Sequence, residues 1–473
     1  MNHPPLTPTY ILRGHASAIH SLHIFQSNLR LISADADGWI IVWDLVSKRP
    51  VAVWKGHEGA ILQVRAFCVD GEGVQVYSHG RDHKLRMWKI RPQDEAVMQK
   101  TLPVDVQTET EPQRQYGSQP WMVHSLPVNA LNFCAFSILF VDGPFSSLSS
   151  GDGSNERRRA RTHSGGHAES QPQATPPSSE EAPPTASTDK AFTRLLAAPN
   201  ALDSGAVDIF HLPLERRVCT IPPPAGIKPG MVMAVELFMD STTGDVYVAS
   251  GYEDGHVMVF RCRGALKDQD TSTEPWNRKW NWETLYVSRI HTQPALSIDV
   301  SKTGGYFLSS GADATLLKHP IPGWDGAGTA APATAAGEPS DKPLKTVNTK
   351  HAGQQGLRIR DDGKIFATAG WDSRVRVYSC KTMKEVAVLK WHKDGCYAVA
   401  FAHVEAAGAL DRPGQQLSES GEAGDDKTTA GELTKRTEFS LATVQQQRNQ
   451  KVQKTHWLAA GSKDGKISLW DIY

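Results

Sequence analysis

Cysteine is scarce in this 473-residue chain: six residues, Cys68, Cys134, Cys219, Cys262, Cys380 and Cys396, lie far apart with no CxxC pair among them. That spacing excludes a zinc ribbon or a dithiol redox motif and leaves reduced thiols as the expectation. Long apolar runs are missing too, and the opening MNHPPLTPTYILRGH lacks a basic stretch followed by an apolar one, so a soluble, non-secreted protein is expected. Net charge is zero, with 51 basic and 51 acidic residues. The global field that a nucleic-acid or anionic-membrane binder exploits is therefore absent. There is no GxxxxGK[ST], no GxSxG, no HExxH and no glycine-rich phosphate loop after a strand, which leaves catalysis and cofactor binding without a motif.

What the chain has in quantity is internal repetition. The segments RGHASAIHSL, KGHEGAILQV, MVHSLPVNAL, SRIHTQPALSI and LKWHKDGCYAV align on His15, His57, His124, His291 and His392. A second motif places Asp37, Asp82, Asp254, Asp313, Asp372 and Asp464 six residues before Trp43, Trp88, Phe260, His319, Tyr378 and Trp470. Alternating apolar residues around each aspartate predict a strand, a tight turn and a second strand. A hydroxyl stands four residues before the aspartate in five of the six units: Ser33, Ser78, Ser250, Ser309 and Thr368. An indole N–H only donates, a carboxylate only accepts, and hydroxyl and neutral imidazole do both. These four types can therefore close one buried chain of hydrogen bonds.

On these residues the chain resembles the WD40 repeat family, which implies an all-β propeller of four-stranded blades. His15, Ser33, Asp37 and Trp43 form one complete tetrad of the family, and His57, Ser78, Asp82 and Trp88 a second. The other units depart from it. Ala460 replaces the hydroxyl of blade seven, blades four to six replace the tryptophan, Lys228 stands for histidine in blade four, His351 is displaced by one residue in blade six, and blade three keeps Asp203 out of step. His319, at a tryptophan position, is expected to be a satisfied core histidine rather than a ligand.

Strands around Trp43, Trp88, Phe210, Phe260, His319, Tyr378 and Trp470 make seven blades, a single propeller over residues 1–473. Seven units would average about 68 residues against roughly 40–45 for such a repeat, so insertions are expected at 94–119, 143–190, 264–279, 325–343 and 405–455. The 143–190 segment, rich in Ser, Pro, Gly and Glu, reads as disordered, and 325–343 as low-complexity. Its Arg157, Arg158, Arg159 and Arg161 form a basic cluster of the kind used for nuclear import, a solvated loop being the alternative. Residues 9–14, TYILRG, are expected to complete the last blade as its outer strand, so that one seven-bladed ring closes without a seam.

All five insertions fall between first and second or third and fourth strands, which share one face of the disc. The opposite face keeps short loops, and the residue before each turn aspartate points there: Arg81, Glu253, Trp371 and Lys463. Arginine and tryptophan are frequent hot-spot residues, so Arg81 and Trp371 lead as partner contacts. Within the repeat family, the opening PPLTPTYILRGHASAIHSLHIF and the stretch TAGWDSRVRVYSCKTMKEVAVLKWHKDGCYAVAFA resemble a fungal group of subunits of the nuclear ASTRA assembly. That resemblance implies a non-enzymatic scaffold tied to chromatin remodelling and to phosphatidylinositol-3-kinase-related kinases, with co-chaperones and RuvB-like ATPases as partners. A G-protein β-like signalling scaffold is the first alternative, weakened by fewer than ten residues before the first strand. A propeller enzyme is the second, and it would need carboxylates and histidines converging at the starts of the inner strands.

Overall fold

The computed structural model describes residues 7–69, 73–102, 119–128, 133–141, 194–266, 279–302, 305–324, 340–404 and 441–472. They form seven four-stranded antiparallel sheets. Blade one runs Ile19–Phe25, Arg30–Asp35, Trp39–Asp44 and Arg49–Lys55 from inside to outside. The inner strands of blades two to six are Ile61–Val69, Ser137–Phe140, Val232–Met239, Ala295–Val300 and Gln354–Ile359. Apolar side chains of consecutive blades merge into shared cores: Ile32, Ile40 and Val42 of blade one pack with Ile61, Val64 and Trp88 of blade two.

Blade seven is built from both ends of the chain. Cys396–Phe401, Trp457–Ser462 and Lys466–Asp471 are joined by Tyr10–Arg13, with Tyr10 opposite Leu469 and Arg13 opposite Lys466. The expected closure is thus present, and Leu12 is buried between Ile467 and Leu469 of blade seven and Ile41 and Trp43 of blade one. One interblade contact recurs across the seam. A Cβ added at Gly38 would lie 1.9 Å from the carbonyl of His57, at Gly255 2.1 Å from that of His291, and at Gly465 2.6 Å from that of His15. Positive φ values of 86, 90 and 73° at the three positions also favour glycine.

The long connections leave blades three and seven between first and second strands, and blades two, four and five between third and fourth. Antiparallel order sends both kinds from the same end of a blade. The insertion 143–190 lies outside the described residues, as do Arg157–Arg161, 325–339 and 405–440. What is described of the others is ordered: Gln99 bridges Val53 of blade one, and Ser340 bridges Tyr286 of blade four. The segment 405–455 ends in an α-helix, Leu441–Lys454. Buried Asn28 clamps that insertion at both ends. Its Nδ2 donates to the carbonyls of His403 (2.8 Å) and Gln453 (2.9 Å), and its Oδ1 accepts from His403 N (2.8 Å).

Candidate interaction surface

Blade geometry is set by buried polar chains that differ from blade to blade. In blade two, His57 Nδ1 lies 2.7 Å from Asp82, its Nε2 lies 2.8 Å from Ser78 Oγ, and Trp88 Nε1 donates to the same oxygen at 2.9 Å. Blade one has the same chain through His15, Ser33 and Trp43, but with a different carboxylate. Asp35, not Asp37, meets His15 Nδ1 at 2.8 Å. Asp35 lies two residues after Ser33 on one strand, hence on the same face. Its other oxygen accepts the N–H groups of Asp37 and Trp39 at 3.0 and 2.9 Å, while Asp37 itself is exposed.

Blade seven restores its missing hydroxyl from another strand. His392 Nε2 and Trp470 Nε1 both lie 2.8 Å from Ser468 Oγ, and Ser468 is directly opposite Ala460. In blade six, Arg376 takes the carboxylate of Asp372 (2.6 and 3.1 Å), and His351 is exposed. Blade three uses buried Asp208, which accepts from Asn200 and Thr220; Asp203 is exposed. His124 lies within the outer strand of blade two, Trp121–Pro127, where it pairs with Glu215. It opens no blade.

These chains hold the short-loop face rigid. The N–H groups of Arg81, Glu253, Trp371 and Lys463 donate to Ala60, Met231, Gly353 and Gly395 at 2.8–3.0 Å, and those of Ala36 and Ala312 do the same to Ala18 and Pro294. The backbone of the residue before each turn is thus anchored alike in six blades. Trp371 (48% exposed) donates from Nε1 to Gln355 Oε1 at 2.6 Å. Gly395 lies between the Trp371 backbone and the Tyr397 ring: a Cβ there would touch both. Tyr397 stacks on His20 of blade one at 5.5 Å. Arg81, whose charge helps lower the pKa of His20 after burial has done most of it, lies over the ring of Phe133 at 4.5 Å. Phe133 is 47% exposed. An aromatic and cationic arc therefore crosses blades six, seven, one, two and three. Glu253 and Lys463 lie outside the arc's ring contacts; Glu253 turns back to accept from Met231 N at 3.1 Å.

A family model described as "WD domain, G-beta repeat" matches residues 6–44, 342–379 and 452–471. ASTRA-associated protein 1 of Aspergillus flavus is 58% identical over 471 residues, spanning 99% of this chain and 98% of its own. The chain belongs to the ASTRA-associated protein 1 family. The relative from Penicillium rubens is 55% identical over 473 residues (99% and 98% covered), and that from Schizosaccharomyces pombe 30% over 417 residues (84% and 93%).

Histidine chemistry in this ASTRA-associated protein 1 family member is absorbed by structure. Blade five lengthens the chain to five groups: Asp313, His291, Ser309, His319 and Tyr286, with contacts of 2.8 Å from His291 to Ser309, Ser309 to His319 and His319 to Tyr286. An ionised Asp313 fixes every proton if both imidazoles are neutral: Tyr286 donates to His319, His319 to Ser309, Ser309 to His291, and His291 to Asp313. Burial holds the His319 pKa well below the usual value, and pushes that of Tyr286 up to about 12. Among the described residues, no group of three His, Cys, Asp or Glu could hold a metal.

These histidines make stability pH-dependent. Burial lowers His392 to about 4 and His79 to about 3. The unfolded chain then binds protons that the folded one refuses. Their contribution is complete above about pH 6.5 and falls as pH drops toward those values, by roughly 1 kcal/mol per pH unit for each. Asp82, held at about 2 against its own burial by the hydrogen bond and charge of His57, adds a loss only below about pH 3.8. The melting temperature should fall from pH 7 to pH 5, because the lowered histidines His23, His57, His79, His319 and His392 outnumber the two raised carboxyls, Glu236 and Asp299, which oppose the trend. A flat profile over that range would remove the buried-neutral assignment.

Proposed function

We propose that the chain is a non-catalytic scaffold subunit of the nuclear ASTRA complex, the assembly for which its relatives are named. The observation that carries this reading is the arc of Trp371, Tyr397, His20, Arg81 and Phe133 on a face held by buried polar chains. Rigid aromatics with an arginine are what protein interfaces use as anchors, and a closed propeller presents them without a free sheet edge at its seam. Support for the finer reading comes from the name carried by relatives identical to this chain at over half of the aligned positions along its whole length. On it, the partners are kinase-related proteins, their co-chaperones and RuvB-like ATPases, and the role is in chromatin remodelling and kinase handling.

The test is affinity purification of the tagged, natively expressed chain, with co-purifying proteins quantified by mass spectrometry, for the wild type and Trp371→Ala. Nuclear recovery of ASTRA components is the expected result. Trp371 is a surface residue bonded only to Gln355 by its side chain among the described residues. Its replacement should cut partner recovery about tenfold or more, with the melting temperature within about 2 °C of wild type. Recovery of a single G-protein instead, or full recovery with the variant, would contradict the reading or the surface respectively.

A further inference from the structure

The inner strands of six blades carry a β-bulge at the same place, after Ile19, Ile61, Val232, Ala295, Gln354 and Cys396. Counting from it, the fifth residue is His23, Arg65, Glu236, Asp299, Arg358 and Ala400 in blades one, two, four, five, six and seven. Blade three supplies Ser137 at this level. Ser137 Oγ accepts the N–H of Leu237 (2.9 Å), as His23 Nδ1 accepts that of Ala66 (3.1 Å) and the Asp299 carboxylate that of Ile359 (2.6 Å). In each case the donor is the sixth residue of the next blade. One register therefore forms a belt around the axis.

The charges of this belt are segregated. Arg358, Ala400, His23 and Arg65 line the consecutive blades six, seven, one and two, while Glu236 and Asp299 occupy blades four and five. Arg65, Glu236, Asp299 and Arg358 share one level of the inner strands of blades two, four, five and six, and Arg65 is within electrostatic range of the other three. No ion pair of 4.0 Å or less joins either guanidinium to either carboxylate. Ala400 keeps the cationic wall open between Arg358 and His23. An axis whose cationic and acidic walls are not ion-paired with each other matches a molecule with opposite charges at its two ends.

We propose that this belt binds a small zwitterion, its carboxylate on Arg65 and Arg358 and its ammonium on Glu236 and Asp299. The proposal is independent of the scaffold reading, which uses the outer arc. It carries a pH signature. Burial, reinforced by Asp299, raises Glu236 to about 7, against the pull of Arg65, Arg358 and the Ser137 hydroxyl; Asp299 is raised as well. The neighbouring Cys134 thiol is pushed up by burial and stays neutral. His23, lowered well below its usual value by burial and then by Arg65, Arg358 and Lys302, also stays neutral. Raising the pH from 6 to 8 thus charges only the acidic wall.

Isothermal titration calorimetry on the full chain tests this with 4-aminobutyrate and 6-aminohexanoate against butyrate, hexanoate and the corresponding alkylamines. At least one ω-amino acid should bind ten or more times tighter than either matched half, and tighter at pH 8 than at pH 6. Glu236→Gln should remove both the preference over the carboxylate and the pH dependence; Arg65→Met should remove the preference over the amine. If Arg65→Met fails to fold, Arg358→Met replaces it. Binding of the halves as tight as the whole, no binding by any probe, or unchanged selectivity in both folded variants would overturn the proposal.

Discussion

Removing residues 1–14 is expected to abolish the cooperative thermal transition of the chain and send it into soluble aggregates on gel filtration. Tyr10–Arg13 is the outer strand of blade seven and pairs residue by residue with Lys466–Leu469. Without it, the strand Lys466–Asp471 becomes an open edge of unpaired N–H and C=O groups, the kind of edge that templates association. The apolar loss is as serious. Leu12 is 1% exposed and packs in the cluster that holds Ile19, Trp43, Ile467 and Leu469 together across the seam. Leu12→Ala alone should cost about 2–5 kcal/mol. Leu202→Ala, at a residue 96% exposed, should stay within about 0.5 kcal/mol of wild type. Calorimetry of the three variants decides it: a truncated chain melting where the full chain melts would mean that the ring does not depend on its seam strand.

Ser468→Ala should destabilise the chain by roughly 2–4 kcal/mol, because it strands two buried groups at once. His392 Nε2 and Trp470 Nε1 share that one hydroxyl, and the site is enclosed by Leu458, Ala460 and Val399. The informative variant is the exchange. Ala460 faces Ser468 across the strand pair, at the position where blades one, two and five carry the hydroxyl. Adding Ala460→Ser to Ser468→Ala should recover more than half of the loss, read as a urea midpoint at constant slope. A double variant no more stable than Ser468→Ala would mean that the two cross-strand positions are not equivalent for His392 and Trp470.

Much of this was readable in advance for a definite reason. Hydroxyl, aspartate and tryptophan at fixed offsets repeat because each blade is the same hairpin, and a hairpin converts spacing in sequence into spacing in space. His57, Ser78, Asp82 and Trp88 meet as their spacing predicts. Asp37 misled because the blade-one turn holds two aspartates, and strand alternation puts Asp35 on the face of Ser33 while Asp37 points to solvent. His124 misled because a histidine before apolar residues also fits an outer strand. The charged belt stood in plain view as the fifth residue of each inner strand, but a repeat alignment read for shared residues passes over the position where blades differ.

By itself the sequence determined the class, the count of seven blades, the seam strand and the strand gaps that carry the insertions. All of these follow from periodicity, and periodicity is a property of the chain alone. Only the tertiary structure decided which carboxylate meets His15, that the hydroxyl of blade seven comes from Ser468, and that His20, Phe133, Trp371 and Tyr397 join in one arc. It alone put Arg65, Glu236, Asp299 and Arg358 at one level of the inner strands around the ring. Those contacts depend on distances of a few ångströms between residues tens to hundreds of positions apart, and only the closure of the ring sets such distances.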